Sequence, residues 1–416
     1  MKRITLYSVL LVSIVSFAQE RLTLEDCYHL LNTNYPLVKQ RALLEQQNNK
    51  DLEVIGSEKL PQLDFSAQAT HQSDVIEIPI PNSNIDPLNK DQYRATISVN
   101  QLIYSGGMVD ASLDVASAKL KTQQKQVEVS LYQLKKQVNQ LYFSILLLQE
   151  KRNLLTAKKE QLTVKLKEVE SGIEYGILLP TSNKILEAEL LKIKQQFTEI
   201  DQNKISLYQT LSSLIGKDIA STQKFKNPEI ITNLQTDIKR PELELFQLKK
   251  EEIETSKQLI LKQNQPKFMG FATGGYGNPG LNMLDNSFQT FYTVGVKLNW
   301  NVFDWNTNKK QRESVLINKD IVDNETEIFK LNTNIELKQL ESEMEKTVAL
   351  ISSDLEIIKL RKDVLKSAES QLRNGVITAS AYITELTNLY EDENMLRTHK
   401  IQLLLIKANY NITKGI

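Results

Sequence analysis

Three histidines, His29, His71 and His399, stand far apart in the chain, and Cys27 is the single cysteine. Metal centres and nucleophile–base pairs need such groups at set spacings. No HExxH, no GxSxG and no glycine-rich phosphate loop occurs. The carboxylates are spread among lysines at helical spacings, the pattern of solvated helix faces. An enzyme is therefore not expected, nor a cofactor or a metal. Lys plus Arg and Asp plus Glu each total 51, and no basic block offers itself to nucleic acid. The chemistry that remains is that of apolar surface against water, and of the elements that would present it.

The clearest such element is YRATISVNQLIYSGG, residues 93–107. Tyr93, Ala95, Ile97 and Val99 alternate with Arg94, Thr96, Ser98 and Asn100, the period of a strand with one oily and one wet face. Its length is about that needed for a strand to cross a membrane. Tyr292, Val294, Val296, Leu298, Trp300 and Val302 repeat the pattern against Thr293, Gly295, Lys297, Asn299 and Asn301. Two weaker strands are expected. One follows Pro61, with Phe65, Ala67 and Ala69 on one face. The other runs from Lys267 to Tyr276 and is glycine-rich and ambiguous in phase. Trp300, Phe303 and Trp305 gather at the end of the last strand, and Tyr104 holds the matching place in the first half. Aromatics at strand ends suit a membrane–water interface; a small soluble sandwich with aromatic core residues is the alternative. Residues 72–91, with Pro79, Pro81, Asn82 and Asn84, and residues 277–290, with Gly277 and Gly280, read as exposed loops joining hairpins.

The N-terminus, MKRITLYSVLLVSIVSFAQ, has Lys2 and Arg3, an apolar run from Leu6 to Val15, and Ser16-Phe17-Ala18. This is the pattern of a secretory signal cut after Ala18. No other apolar run approaches the ~18 residues of a membrane helix, so an exported chain that enters a membrane must do so as a barrel. Cys27 follows the acidic Glu25-Asp26 downstream of that cut, so it reads as a plain helix-face cysteine rather than a lipid acceptor.

Long helices occupy most of the rest. Leucine or valine recurs every seven residues from Leu113 to Val169, with Leu131, Val138 and Ile145 at the complementary position. Leu337, Met344, Ile351, Ile358, Leu365 and Leu372 form a second run. Shorter partners follow each, through Ile193, Ile200, Leu207 and Leu214, and through Leu389, Leu396, Leu403 and Tyr410. Such spacing marks a coiled-coil seam. At 1.5 Å per residue, two long helices of roughly 65 residues would each reach about 100 Å.

The chain repeats itself at an offset of about 200 residues. Val99-Asn100-Gln101-Leu102-Ile103-Tyr104 answers to Leu298-Asn299-Trp300-Asn301-Val302-Phe303, and Tyr175-Gly176-Ile177 to Asn374-Gly375-Val376. A period this long is no solenoid unit. The expected organisation is a signal peptide at 1–18 and two repeats, 19–217 and 218–416. Each has the plan short helices, strand, loop, strand, long helix, tip and shorter helix, and the heptads break at 216–240. Four strands cannot close a barrel, since about eight are needed even for a filled interior. Open edges in lipid leave backbone groups unpaired. Three copies would supply twelve strands and a wet lumen.

The signal segment, Leu22-Thr23-Leu24-Glu25-Asp26-Cys27, the duplicated plan, Leu102-Ile103-Tyr104-Ser105-Gly106-Gly107 and the two tip segments together resemble the TolC-type outer-membrane efflux proteins, over essentially the whole mature chain. The resemblance implies a mostly α fold with a small β part. Long antiparallel coiled-coil helices would form a trimeric α-barrel in the periplasm, and four strands per chain a twelve-stranded transmembrane β-barrel, with an equatorial belt near 216–240. It implies a homotrimer in outer-membrane lipid that docks a periplasmic adaptor (membrane fusion) protein and an inner-membrane pump of RND or ABC type. The function implied is the exit duct of a tripartite efflux or type I secretion system. The adaptor would meet the tips, Tyr175, Gly176, Ile177 and Leu178 with Asn374, Gly375, Val376 and Ile377. Ala381 and Thr384 stand where family members carry acidic side chains at the periplasmic mouth. Glu385, the nearest carboxylate, reads as a solvated helix-face charge. The alternative reading is an exported periplasmic coiled-coil structural or adaptor protein without a membrane barrel. Two long hairpins in a 200-residue repeat, with one strand pair each, argue against that.

Overall fold

The computed structural model describes residues 21–76 and 87–416. The signal segment, and Pro79, Pro81, Asn82 and Asn84 of the first loop, lie outside the described residues. The first half runs α1 (Leu24–Asn34), α2 (Val38–Ser57), β1 (Gln62–His71), β2 (Asp91–Tyr104), α3 (Met108–Glu174) and α4 (Thr181–Ile215). The second runs α5 (Pro241–Gln263), β3 (Lys267–Asn278), β4 (Gln289–Asn299), α6 (Thr307–Arg373) and α7 (Ala379–Lys414). A single helix opens the second half where two open the first. Helices α3 and α6 each hold 67 residues, close to the length read from the heptads.

The chain divides into two compact units, one of residues up to Val38, 130–240 and 331–416, the other of 39–129 and 241–330. In the first, the seven-residue seam is core. Leu155, Leu162 and Val169 of α3 bury with Leu186 and Ile193 of α4, Ile358, Leu365 and Leu372 of α6, and Tyr382, Leu386 and Leu389 of α7. Side chains repeating every seven residues stay on the partner-facing side, so four long helices share one apolar seam.

A second cluster in this unit begins with the Leu22–Cys27 stretch, where Thr23 and Asp26 form a capping box. The Asp26 amide donates to Thr23 Oγ1 at 3.1 Å, and the Thr23 amide donates to Asp26 Oδ2 at 2.9 Å. That fixes the start of α1 and turns Leu24, Cys27 and Leu31 onto Tyr142 and Phe143 of α3 and Tyr208 and Leu211 of α4. Cys27 is fully buried. Burial, with the charges of Asp26 and Glu25, pushes its thiol up to about 12, so it has no thiolate for chemistry at neutral pH. The 216–240 segment is tied to this core. Leu22 and Phe225 make a one-residue bridge, and the Tyr142 hydroxyl lies 2.6 Å from the Lys226 carbonyl and 3.0 Å from that of Leu22.

In the second unit, one antiparallel sheet has the order β1-β2-β3-β4. The register puts Leu63, Val99, Ala272 and Val294 in one row, and Phe65, Ile97, Gly274 and Tyr292 in the next. Directly opposed residues share a face, so one face is apolar across all four strands. Its large side chains, Leu63, Phe65, Ile97, Tyr292, Val294, Val296 and Leu298, are exposed. The other face carries Asp64, Ser66, Thr96, Ser98, Asn100, Thr273, Thr293 and Lys297, with Ser98 Oγ 3.0 Å from Thr273 Oγ1 and Asn100 Nδ2 3.2 Å from Asp64 Oδ2. The glycine-rich phase of β3 is settled by this register. On the polar face, a Cβ at Gly295 would stand 2.7 Å from the Phe271 ring, and Gly275 lies under Phe291 in the same way.

The last strand is shorter than its alternation suggests. The final pair is Lys267 with Asn299. Pro266 precedes Lys267 and has no N–H to continue the ladder, so Trp300 and Val302 lie beyond the strand. β2 reaches Tyr104 through a bulge between Leu102 and Tyr104.

Candidate functional site

The two tips are helix ends of one design. In the first, the Ile177 amide donates to the Gly172 carbonyl at 2.8 Å and the Gly176 amide to that of Ile173 at 3.0 Å. In the second, Val376 donates to Gln371 at 2.9 Å and Gly375 to Leu372 at 3.0 Å. These crossed bonds are the Schellman closure of a helix. The closing residue must take a left-handed conformation, and φ is 72° at Gly176 and 68° at Gly375. The tips touch: a Cβ on Gly375 would come within 3.3 Å of the Ile177 carbonyl oxygen.

Each tip divides its apolar residues between core and solvent. Leu178 and Ile377 pack against the seam cluster, whereas Tyr175 is 78% exposed, Ile177 56% and Val376 70%. The Asn374 side chain turns back to the Ser370 carbonyl at 2.8 Å. A cleft of about 240 Å³ beside them is lined by Val169, Gly172, Tyr175, Ile177, Leu178 and Leu372, with Lys165, Glu168 and Arg373. The arrangement offers an apolar surface bounded by charge, suited to binding another protein; it assembles no nucleophile, base or metal ligand set.

An ion network next to this cleft escapes a reading of the heptads. Lys165 Nζ lies 2.6 Å from Glu168 Oε2 and 2.7 Å from Glu369 Oε1, over the Tyr382 ring at 5.4 Å. One heptad earlier, Lys158 pairs with Glu189 at 3.0 Å and lies 4.6 Å from the centre of the Tyr390 ring. Both lysine side chains are 4% exposed. Burial disfavours the Lys165 ammonium, but the hydrogen bonds to Glu168 and Glu369 outweigh it and raise its pKa. The same contact from Lys165 lowers that of Glu369. The available signal was the position of Lys158 and Lys165 three residues after Leu155 and Leu162, on what reads as the polar side of the seam.

Glu385 lies on α7, half-buried, with Oε2 3.5 Å from Arg361, which also holds Asp392 at 3.0 Å. Ala381 and Thr384 are exposed. The strand-end aromatics are exposed too. Tyr104 pairs with Phe268 at 6.2 Å between ring centres, and Phe303 meets Trp305 edge-on at 4.8 Å. Trp300 stands one residue past the end of β4.

Solved structures share this architecture. VceC, an outer membrane protein of Vibrio cholerae, superposes with a TM-score of 0.65 at 12% identity, over 94% of this chain and 96% of that one. CusC superposes at 0.70 with 10% identity over 94% and 91%, and the MtrE outer membrane channel of Neisseria gonorrhoeae at 0.66 with 13% over 94% and 88%. Residues 27–217 match the model of the outer membrane efflux protein family. The fold is that of the TolC-type outer-membrane efflux proteins. The family's members are transporters rather than enzymes. No significant match is found among curated protein sequences. The exposed tips close the two helical hairpins at the C-terminal ends of α3 and α6.

Proposed function

We propose that three copies of this chain form the outer-membrane exit duct of a tripartite efflux or type I secretion system. The strands close a twelve-stranded barrel in lipid, and the helices extend it through the periplasm as an α-barrel. The observation that carries this reading is the sheet. Its apolar face is continuous and exposed, its other face is polar, and β1 and β4 each have one edge unpaired. In lipid, each unpaired backbone group costs several kcal/mol, and pairing β4 of one copy with β1 of the next removes both edges. The signal sequence, cut after Ala18, delivers the chain to that membrane.

The tips are the docking point for a periplasmic adaptor, which couples the duct to an inner-membrane pump of RND or ABC type. Tyr175, Ile177 and Val376 supply the exposed apolar contacts, and Gly176 and Gly375 hold the turns that present them. Trp300, Phe303, Trp305 and Tyr104 lie at the periplasmic border of the bilayer.

Gly176→Phe with Gly375→Phe tests the docking. A left-handed conformation costs a non-glycine residue roughly 1–2 kcal/mol at each site, and at Gly375 the new side chain also meets Ile177. The double variant is expected to keep its assembled mass in detergent and to lose capture by the adaptor. Full adaptor capture by that variant would remove the tips from the docking surface.

A further inference from the structure

We propose that the loop between β3 and β4 is a membrane anchor, its Leu281, Met283, Leu284 and Phe288 seated in the apolar border of the outer leaflet rather than standing in water above the pore. This rests on the reading of the sheet as a membrane-spanning wall.

The loop is built inside out for a segment in water. Its polar side chains are spent on holding its own shape. Asn282 Oδ1 accepts from the Leu284 amide at 3.1 Å, and Asp285 Oδ1 from the Ser287 amide at 3.0 Å. Asp285 Oδ2 accepts from Gln289. Asn278 Nδ2 donates to the Asn286 carbonyl at 3.2 Å. The Asn286 side chain accepts from the Asn89 amide at 3.0 Å and donates to the Pro87 carbonyl at 3.1 Å. The large outward residues are apolar: Leu281 is 57% exposed, Met283 54%, Leu284 52% and Phe288 49%, with the small polar Asn282 and Ser287 exposed between them. Surface loops in water normally present the reverse.

Continuity with the sheet selects the occupant. The Phe288 ring stacks on Tyr276 at 5.4 Å and on Tyr93 at 6.3 Å. Tyr93 and Tyr276 belong to the apolar face, since Tyr93 pairs with Ala69, and Tyr276 with Ala95. The surface that meets lipid along the strands therefore runs on into the loop through three stacked aromatics, side chains suited to a membrane interface. Asp285 is the one ionisable group between Pro279 and Gln289. The loop thus offers no cation to a headgroup phosphate, and the contact is with the acyl and glycerol region, as for apolar residues of interfacial segments.

The test uses the full-length complex in phosphatidylcholine vesicles. Single cysteines at Met283→Cys and Leu284→Cys carry an environment-sensitive dye, and the buried Cys27 is left in place, with the unsubstituted chain as the labelling blank. Val294→Cys on the apolar face and Thr293→Cys on the polar face are the references. Quenchers are phosphatidylcholines with a nitroxide high on the acyl chain, for the loop, or near the chain end, for position 294, and aqueous iodide. The expected result is loss of most fluorescence at 283, 284 and 294 to the lipid nitroxide, with little change at 293. Lipid quenching at 294, but iodide quenching alone at 283 and 284, puts the loop in water and overturns the anchor while leaving the wall. Shielding of 283 and 284 from both quenchers means a protein neighbour covers the loop, which also overturns it. Absence of lipid quenching at 294 overturns the wall, and the anchor with it.

Discussion

Val294→Arg is expected to strip the assembled protein from the outer membrane, whereas Thr293→Arg, one residue earlier, leaves assembly intact. Val294 lies at the middle of β4, in the row shared with Leu63, Val99 and Ala272, so in the proposed barrel its side chain would meet the bilayer near its midplane. A cation on the lipid face there costs about 2–4 kcal/mol, and threefold symmetry imposes that cost three times in one barrel. Thr293 opposes Thr273 on the polar face, where an added arginine reaches the aqueous lumen. Electrophoresis of unheated outer-membrane extracts reads the outcome as presence or loss of the oligomer band. Equal tolerance at both positions would mean that neither face meets lipid.

Lys165→Ala is expected to lower the stability of the helical tip region by about 3 kcal/mol, the lower end of the cost of breaking a buried ion pair. The lower end applies because Glu168 and Glu369 are 38% and 36% exposed, so water partly screens the carboxylates left behind. Arg373 compensates little, at 3.7 Å from Glu168 and 3.5 Å from Glu369, with a side chain 63% exposed. Replacing the trio together, as Lys165→Met, Glu168→Gln and Glu369→Gln, restores most of the loss because no uncompensated buried charge remains; Arg373, which loses its carboxylates, is exposed to water.

The effect has a pH signature. The folded protein holds Glu369 below its ordinary value of 4.5 through its bond to Lys165. This contribution is present above that value and is lost as pH falls through the lower, folded one. Lys165 is held above its ordinary value of 10.5, so its contribution is present at neutral pH and lost only as pH rises through the raised value. The gap in melting temperature between parent and Lys165→Ala should be full at pH 7 and shrink in strong acid. A gap unchanged by acid would assign the loss to side-chain packing instead.

The helical seams were legible because a heptad period returns every seventh residue to the same helix face. Leu155, Leu162, Leu365 and Leu372 are core for that reason. Strand alternation was equally plain in β2 and β4. The end of β4 was not, because it depends on Pro266, just ahead of the neighbouring strand. The phase of β3 was hidden because Gly270, Gly274, Gly275 and Gly277 carry no side chain to reveal a face. The tip glycines could be placed from sequence, since only a left-handed helix end calls for Gly176 and Gly375. Lys158 and Lys165 could not, because a lysine on the polar side of a seam looks the same whether water or a second pair of helices covers it. The 277–290 loop reads as exposed from Gly277 and Gly280, and Leu281, Met283 and Leu284 are exposed in it. That Asn278, Asn282 and Asn286 hydrogen-bond backbone groups needed the three-dimensional placement to see.

The central claim, that this chain becomes a membrane duct by closing with copies of itself, is tested most directly by the mass of the complex extracted from the outer-membrane fraction in mild detergent. Three chains per particle is the predicted result. A monomer or dimer recovered from the periplasmic extract without detergent would contradict it.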